Sequence, residues 1–142
     1  VDLQRYMGRW YEQFRYDASF EEGLEAVTAD YSLRPDGSVR VVNQGRSGGP
    51  HGKQRTSTGK AKLVDPATNA KLKVSFFGPF YGDYWVLDHG DDYEWSIVGE
   101  PSGRYLWVLT REAKPAARTL EKLEARVRAL GYDWSLVHVT QH

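Results

Sequence analysis

The sequence predicts an all-β fold: an eight-stranded antiparallel up-and-down barrel with a C-terminal α-helix and a short final strand. Up to about residue 110, apolar and polar side chains alternate with a period of two, which is typical of half-buried strands. Turn signals separate these runs at hairpin spacing, so consecutive strands are expected to pair with each other. After Pro115 the apolar period changes to three and four residues, which indicates an amphipathic helix.

Eight runs of alternating residues predict the eight strands. They cover residues 9–16, 24–34, 39–44, 56–64, 71–77, 84–88, 93–99 and 105–111. The segment RPDGS at 34–38 predicts a hairpin turn, because proline fixes φ and Asp-Gly supplies left-handed positions. The glycine-rich segment 45–52 predicts a loop, since glycine weakens the interior of a strand.

The C-terminal part of the chain predicts one helix that covers the barrel and one tail strand. Four apolar residues recur at helical spacing, namely Leu120, Leu123, Val127 and Leu130. Gly131 is expected to end the helix. We expect a single domain over residues 1–142, with the barrel at about 8–111, the helix at about 115–130 and the tail strand at about 133–140.

Closure into a barrel follows from the need to protect strand edges. An up-and-down meander leaves two open edges, and only a closed barrel removes both. An open sandwich is the competing arrangement, but the absence of a long crossover connection favours the barrel. Eight strands enclose an interior that side chains fill, or that holds one small ligand.

Composition excludes several classes of function. Lys plus Arg and Asp plus Glu both number 19, so the net charge of zero gives no electrostatic reason to expect a nucleic-acid partner. The sequence contains no cysteine, which excludes disulfides and thiolate metal sites. The four histidines do not show metal-ligand spacing, and we expect neither a metal nor a cofactor. No apolar run is long enough to span a bilayer.

Two short motifs resemble catalytic or metal-binding patterns only in part. The segment GRSGG at 45–49 matches the Gly-x-Ser-x-Gly pattern of hydrolases, but that elbow needs a helix after it, and more strand follows here. The segment DHGDDYE at 88–94 lacks the spacing and flanking helices of an EF-hand. We interpret the first as a hairpin loop and the second as a solvated acidic turn.

The candidate ligand-binding residues are one carboxylate and a set of strand aromatics. Glu12 shares a predicted face with Trp10 and Phe14 and is expected to point inward, where it either bonds to a neighbouring Tyr or Arg or addresses the polar group of a ligand. The aromatics either line an apolar cup or simply fill the barrel. They are Phe14, Tyr31, Phe76, Tyr84, Tyr93, Trp95, Tyr105 and Trp107. Because one bulge reverses every face, strand parity alone does not separate the two roles.

Three segments resemble the signature regions of the lipocalin family: GRWYE at 8–12, GDYWVL at 82–87 and YLWVLTR at 105–111. The segments GLEAVTADYSL at 23–33 and LKVSFFGPFYGDY at 72–84 are similar to the bacterial outer-membrane lipoprotein type, which is related to apolipoprotein D. The resemblance covers nearly the whole chain. The segment 14–23 departs from the turn that usually follows the first strand in these relatives, so the entrance is expected to differ.

The resemblance implies three structural residues and a function. Trp10 would close the narrow end of the barrel, Arg111 would lie against it, and Gly8 would let the chain enter tightly. The implied function is binding or transport of a small hydrophobic or amphiphilic molecule, such as a fatty acid or lysophospholipid, without enzyme activity. The implied location is the periplasm or the outer membrane, although these residues include neither a signal peptide nor an anchoring cysteine.

The sequence is also consistent with other functions. A few lipocalins are enzymes, and a reactive group inside the cup would then act on a hydrophobic substrate. An engineered small-molecule binder on the same scaffold would keep the same signatures. A protein-interaction role through the rim or the edge near the last strand, which would include homodimers, is also open. Peripheral membrane association is open as well, through Phe77 and Phe80 if they are exposed beside the mouth.

Overall fold

The computed structural model describes residues 1–16, 22–77 and 80–142, including all of their side chains except those of residues 76, 77, 80 and 81. Within these ranges the chain forms two α-helices and nine strands. In chain order they are α1 (Leu3–Tyr6), β1 (Gly8–Tyr16), β2 (Leu24–Leu33), β3 (Val39–Ser47), β4 (Lys53–Leu63), β5 (Lys71–Phe77), β6 (Phe80–His89), β7 (Trp95–Gly99), β8 (Leu106–Thr110), α2 (Ala117–Ala129) and β9 (Val137–Val139). A short 3₁₀ helix, Trp134–Leu136, precedes β9.

The strands form one antiparallel sheet that closes on itself. Their order is β2-β3-β4-β5-β6-β7-β8-β1-β9, and an additional pairing of β1 with β2 completes the barrel. The predicted fold class, an eight-stranded antiparallel barrel with a C-terminal helix and a short last strand, is therefore confirmed. No helix in the described part of the chain is both long enough and apolar enough to cross a bilayer.

The last strand enters the barrel wall between β1 and β2. Residues Gly8–Tyr11 of β1 pair with β2, whereas Phe14–Tyr16 pair with β9. The Ala26 backbone NH of β2 donates to the Gln141 carbonyl (2.7 Å), which holds the tail from the other side. The tail thus fills the gap that opens where β1 and β2 separate.

Two hydrophobic clusters lie on opposite faces of the sheet. The inner cluster fills the barrel and includes Trp10, Tyr31, Val41 and Leu109. The outer cluster lies between the barrel and α2, where Leu123 and Val127 are fully buried against β7 and β8. Alternation in the strands supplies both clusters, because neighbouring residues face opposite sides.

A bulge in β1 changes which residues face the interior. Glu12 pairs with Leu109 of β8, but Phe14 pairs with Val108, so the register shifts between them. Leu109 belongs to the inner cluster and Val108 to the outer one. As a result Phe14 faces α2 rather than the interior, and Arg15 takes the inward position.

The glycine-rich hairpin is shorter than the sequence predicted. β3 continues to Ser47 and β4 begins at Lys53, so only residues 48–52 connect them. Gly45 lies inside β3, where an added Cβ would come within 3.3–3.4 Å of Val27 and Leu24. Glycine at this position leaves room for the side chains of Val27 and Leu24 of β2. The alternation of apolar and polar residues does not reveal this requirement.

Candidate functional site

One end of the barrel, called here the closed end, is sealed by Trp10 and Arg111. The Trp10 side chain is fully buried, and the Arg111 guanidinium lies 3.7 Å from its ring centroid. The guanidinium also donates to the carbonyls of Tyr93 (3.1 Å), Arg9 (3.1 Å) and Arg5 (2.8 Å). This single side chain therefore ties β1, α1 and the turn before β7 together. Burial lowers the pKa of Arg111, with an opposing contribution from Tyr6.

Gly8 is required by the same contact. Its φ of +100° lies in a region that L side chains rarely adopt. A Cβ at this position would also lie 3.3 Å from Nη1 of Arg111. The close approach of glycine, tryptophan and arginine at the start of β1 is thus a packing requirement.

The N-terminal segment crosses the closed end as a lid. Asp2 caps α1 by accepting hydrogen bonds from the backbone NH groups of Gln4 and Arg5. The N-terminal ammonium of Val1 donates to the Thr68 carbonyl (2.7 Å), which anchors the segment to the turn between β4 and β5. The segment brings Tyr6 into the interior.

Tyr6 is the centre of a chain of hydroxyl groups inside the barrel. Its hydroxyl lies 2.8 Å from those of Tyr84 and Ser96, and the Tyr84 hydroxyl lies 2.9 Å from that of Tyr31. Burial raises the pKa of Tyr6 to about 12, although its hydrogen bonds act in the opposite direction. Burial is also the main reason why the pKa of Tyr84 lies well above its usual value. Tyr6 and Tyr84 are therefore neutral at ordinary pH.

A small cavity lies beside this network, between the N-terminal segment and the inner faces of the strands. Its volume is about 20 Å³, measured as the space open to the centre of a water molecule. That space accommodates about one water molecule. The apolar residues that line it are Val1, Leu3, Met7, Val39, Val41, Ala61, Leu72 and Val74. Tyr6, Tyr31 and Tyr84 complete the lining together with Asn69.

The interior on the other side of the tyrosines contains a polar cluster of Glu12, Arg15 and Thr140. Nη1 of Arg15 lies 3.0 Å from Oε2 of Glu12, and the Thr140 hydroxyl donates to the same oxygen (2.6 Å). The side chains of Arg15 and Glu12 are 0% and 2% exposed, so the ion pair is removed from water. A buried pair of this kind offsets much of its desolvation cost through hydrogen bonds from its neighbours.

The C-terminal tail supplies one wall of the polar cluster. Glu25 of β2 accepts a hydrogen bond from the Gln141 backbone NH (2.9 Å) and lies 3.0 Å from Nε2 of His138. The backbone NH of Thr140 donates to the Gln13 carbonyl (3.0 Å). These contacts hold Thr140 in the barrel wall, with its hydroxyl on the Glu12 carboxylate.

Among the side chains that the structure describes, Tyr105 and Trp107 lie at the end of the barrel opposite Trp10, called here the open end. Trp107 packs against the inner cluster and pairs with Arg15 across the β1–β8 ladder. Tyr105, which is 38% exposed, stacks on Trp107 with ring centroids 5.8 Å apart and planes 2° from parallel. An exposed ring above a half-buried one gives this end an apolar, accessible lip.

The structure separates the candidate ligand-binding residues into different places. Tyr31 and Tyr84 line the cavity, and Glu12 belongs to the polar cluster. Tyr105 and Trp107 lie at the open end. Tyr93 lies at the closed end, edge-on to Tyr6 at 6.4 Å. The side chain of Phe76 lies outside the described residues, as do those of Phe77 and Phe80.

The prediction that Phe14 and Trp95 line the interior is wrong. Both belong to the outer cluster, where Phe14 meets Trp134 edge-on at 4.8 Å and Trp95 lies beneath Arg126 of α2. The bulge in β1 turns Phe14 outward. In β7, Trp95 faces outward because Ser96 takes the inward position beside Tyr6.

Several interior residues were missed by the sequence reasoning. Asp2 before LQRY is a helix N-cap signal that could have revealed α1 and, with it, Tyr6. Arg15 and Thr140 have no comparable local signal, because a bulge and a distant tail place them inside. In the described part of the chain, no group of three or more His, Asp or Glu residues could hold a metal ion.

Comparison with known proteins gives a consistent result. Residues 1–142 match the lipocalin-like domain. The outer membrane lipoprotein Blc of Vibrio cholerae is 41% identical over 142 residues, which cover 99% of this chain and 82% of the relative. Blc of Escherichia coli K12 is 43% identical over 134 residues, covering 94% and 75%. Apolipoprotein D of Mus musculus is 40% identical over 142 residues, covering 93% and 72%.

Solved structures support the fold at lower sequence identity. Insecticyanin from the tobacco hornworm Manduca sexta superposes with a TM-score of 0.79 at 19% identity, covering 100% of this chain and 81% of the other. The siderocalin Ex-FABP superposes with a TM-score of 0.60 at 17% identity, covering 97% and 95%. These two likenesses concern the barrel architecture alone.

Proposed function

The chain belongs to the lipocalin family, whose members bind small hydrophobic ligands, and we propose that it binds a fatty acid or a lysophospholipid inside its barrel. One observation supports the proposal: the barrel interior is divided between the largely apolar lining of the cavity beside Tyr6 and the polar cluster of Glu12, Arg15 and Thr140. An amphiphile has the same division between acyl chain and headgroup. We propose that this chain acts as a binding and transport protein, as one domain over residues 1–142 and without a catalytic step.

The binding energy would come from burial of the acyl chain. Each methylene group removed from water contributes up to about 0.8 kcal/mol, less the cost of ordering chain and protein. A net contribution of about half that value gives about 4 kcal/mol over ten methylenes, which corresponds to about millimolar affinity, and about 6 kcal/mol over sixteen, which corresponds to tens of micromolar. Long chains are therefore expected to bind better than short ones.

The cavity of about 20 Å³ is smaller than the pockets of about 300–1,000 Å³ that hold small molecules in proteins. Ligand entry would therefore require interior side chains to move, and Trp107 and Tyr105 at the open end are the ones we propose to move first. The headgroup would then lie near Glu12 and Arg15, and the acyl chain would extend towards Tyr31 and Tyr84.

The proposed location is the periplasm or the outer membrane, following the Blc lipoproteins of Vibrio cholerae and Escherichia coli. A barrel that carries lipid through an aqueous compartment needs no metal or cofactor for this task. Its required partner is the hydrophobic ligand itself.

The test is a titration with a fatty acid that carries an environment-sensitive fluorophore, using a variant that fills the interior. Gly82 pairs with Val74 on the inward face, and a Cβ there would meet only the Val74 carbonyl oxygen, 4.0 Å away. Gly82→Trp is expected to weaken binding at least about tenfold, because the indole would occupy the ligand volume.

The matched control places the same indole on the outside of the barrel. Thr58 is exposed and pairs with Val42 on the outward face of β4, so Thr58→Trp is expected to leave affinity unchanged. Unaltered affinity in Gly82→Trp, or no saturable binding of any lipid by the unmodified protein, contradicts the proposal.

A further inference from the structure

Five cations form a continuous patch on the outer surface of the barrel, called here the basic face. They lie on three neighbouring strands and comprise Arg40 of β3, Lys60 and Lys62 of β4, and Lys71 and Lys73 of β5. Each alternates with an inward residue such as Val41, Ala61 or Leu72, so all five point outward. The outer cluster beneath α2 lies on other strands of the barrel, and this face is exposed.

The cations of the basic face stand opposite each other across the strands. Arg40 pairs directly with Lys60, and Lys62 pairs directly with Lys73. Like charges in directly opposed positions destabilise a sheet. Two carboxylates reduce the repulsion, since Asp36 lies 3.7 Å from Lys60 and Asp83 lies 3.3 Å from Lys73.

This concentration of charge is a property of the face and not of the composition. The whole chain has a formal net charge of zero, yet five cations gather on this face, and Asp36 and Asp83 lie within 4 Å of two of them. Fold stability alone favours opposite charges at these positions, so the arrangement suits an external anionic surface.

Exposed apolar side chains border the same patch. Trp85 lies beneath Lys71, with Nζ 4.4 Å from the ring centroid. Val64 is 45% exposed, and its backbone NH donates to the Lys71 carbonyl (3.0 Å). Leu33 pairs with the inward residue Val39 at the end of β2 and is 43% exposed at the rim of the closed end. Tryptophan and aliphatic tips beside lysines are the composition of surfaces that lie at the boundary of a bilayer.

We propose that the basic face docks the barrel onto a bilayer that contains anionic phospholipids. The cations would meet the phosphate layer, while Leu33 and Val64 would enter the boundary between headgroups and acyl chains. A soluble polyanion would satisfy the charges but not these apolar side chains. The apolar tips lie at the closed end, so docking leaves the open end facing water, available for ligand exchange.

The test measures co-sedimentation of the protein with vesicles of phosphatidylcholine alone or mixed with an equal amount of phosphatidylglycerol. Binding to the mixed vesicles is expected to be at least about tenfold tighter, and to weaken as salt rises towards about 0.5 M. Equal binding to both kinds of vesicle overturns the proposal.

Charge reversal separates docking from folding. In the variant Arg40→Glu, Lys62→Glu, each new carboxylate faces a lysine across the strand, so the unfolding temperature is expected to stay the same or rise. Binding to mixed vesicles is expected to fall at least about tenfold. The matched control Lys114→Glu, Arg118→Glu makes the same change of net charge near α2 and is expected to retain binding.

A further variant distinguishes docking onto a bilayer from binding to a soluble polyanion. The variant Leu33→Ser, Val64→Ser is expected to lose binding to mixed vesicles severalfold while retaining its weak affinity for dextran sulfate. Undiminished vesicle binding in this variant, or in the charge-reversed one, overturns the proposal. Titration with the fluorescent fatty acid is expected to be unchanged in every variant, so failure of docking and failure of interior ligand binding are separate results.

Discussion

The closed end and the polar cluster each contain an arginine, but they satisfy its charge in different ways. Arg111 lies over an indole and donates to three backbone carbonyls. Arg15 is fully buried and has the Glu12 carboxylate at 3.0 Å. An arginine that remains partly in water needs no counter-charge, whereas one in the interior does. The closed end can therefore act as a structural seal, while the polar cluster keeps ionised groups that a ligand headgroup can contact.

The largest expected effect comes from breaking the seal. Trp10→Ala removes a fully buried indole and is expected to lower the free energy of unfolding by about 3–5 kcal/mol, through lost transfer energy and the cavity that remains. Trp107→Ala at the open end is expected to cost less, because that indole is partly exposed. Urea unfolding of both variants measures the difference.

Equal losses in the two tryptophan variants would mean that the closed end is no more tightly packed than the open end. The fluorescent fatty acid adds a second readout. Trp107→Ala is expected to alter its affinity directly, whereas Trp10→Ala should change it only through stability, and so only near the unfolding transition.

The next largest effect tests the buried ion pair. Glu12→Met leaves the Arg15 guanidinium in the interior without its carboxylate, and is expected to cost about 3 kcal/mol or more. The double variant Glu12→Met, Arg15→Met is expected to recover part of that loss, because it leaves neither charge buried. A double-mutant cycle from urea unfolding gives the coupling energy. Losses that simply add would show that Glu12 and Arg15 are satisfied independently.

The sequence predicted the parts of the fold that depend on local pattern. Alternation and turn residues located the strands, and the helical spacing of Leu123 and Val127 located the face of α2 that is buried. The resemblance at Gly8, Trp10 and Arg111 anticipated residues that meet at the closed end. These features are encoded within short segments, so a single chain displays them.

The interior was harder to predict, because the choice of side chains that point inward depends on non-local geometry. Phe14 and Arg15 exchange sides through one bulge in β1, and parity from Trp10 onward gives the wrong answer beyond it. Thr140 reaches Glu12 only because the tail enters the wall 128 residues later. Tyr6 reaches Tyr84 and Ser96 because α1 folds across the barrel end.

The smallest expected effect of a substitution comes from the tyrosine network, which lies between the closed end and the polar cluster. The pKa of Tyr6 is about 12 in the folded protein and about 10 in the unfolded chain, so above pH 10 the unfolded state loses its proton first. Stability is therefore complete below about pH 10, and this group alone removes about 2–3 kcal/mol between about pH 10 and 12. Tyr84, whose pKa is also raised by burial, acts in the same direction.

Tyr6→Phe is expected to lower stability at neutral pH by about 1 kcal/mol, through lost hydrogen bonds to Tyr84 and Ser96. The variant is also expected to lose stability less steeply above pH 10, by about one proton. Urea unfolding at a series of pH values measures both changes, and an unaltered alkaline slope in the variant would show that the Tyr6 hydroxyl is not sealed from water between the closed end and the polar cluster.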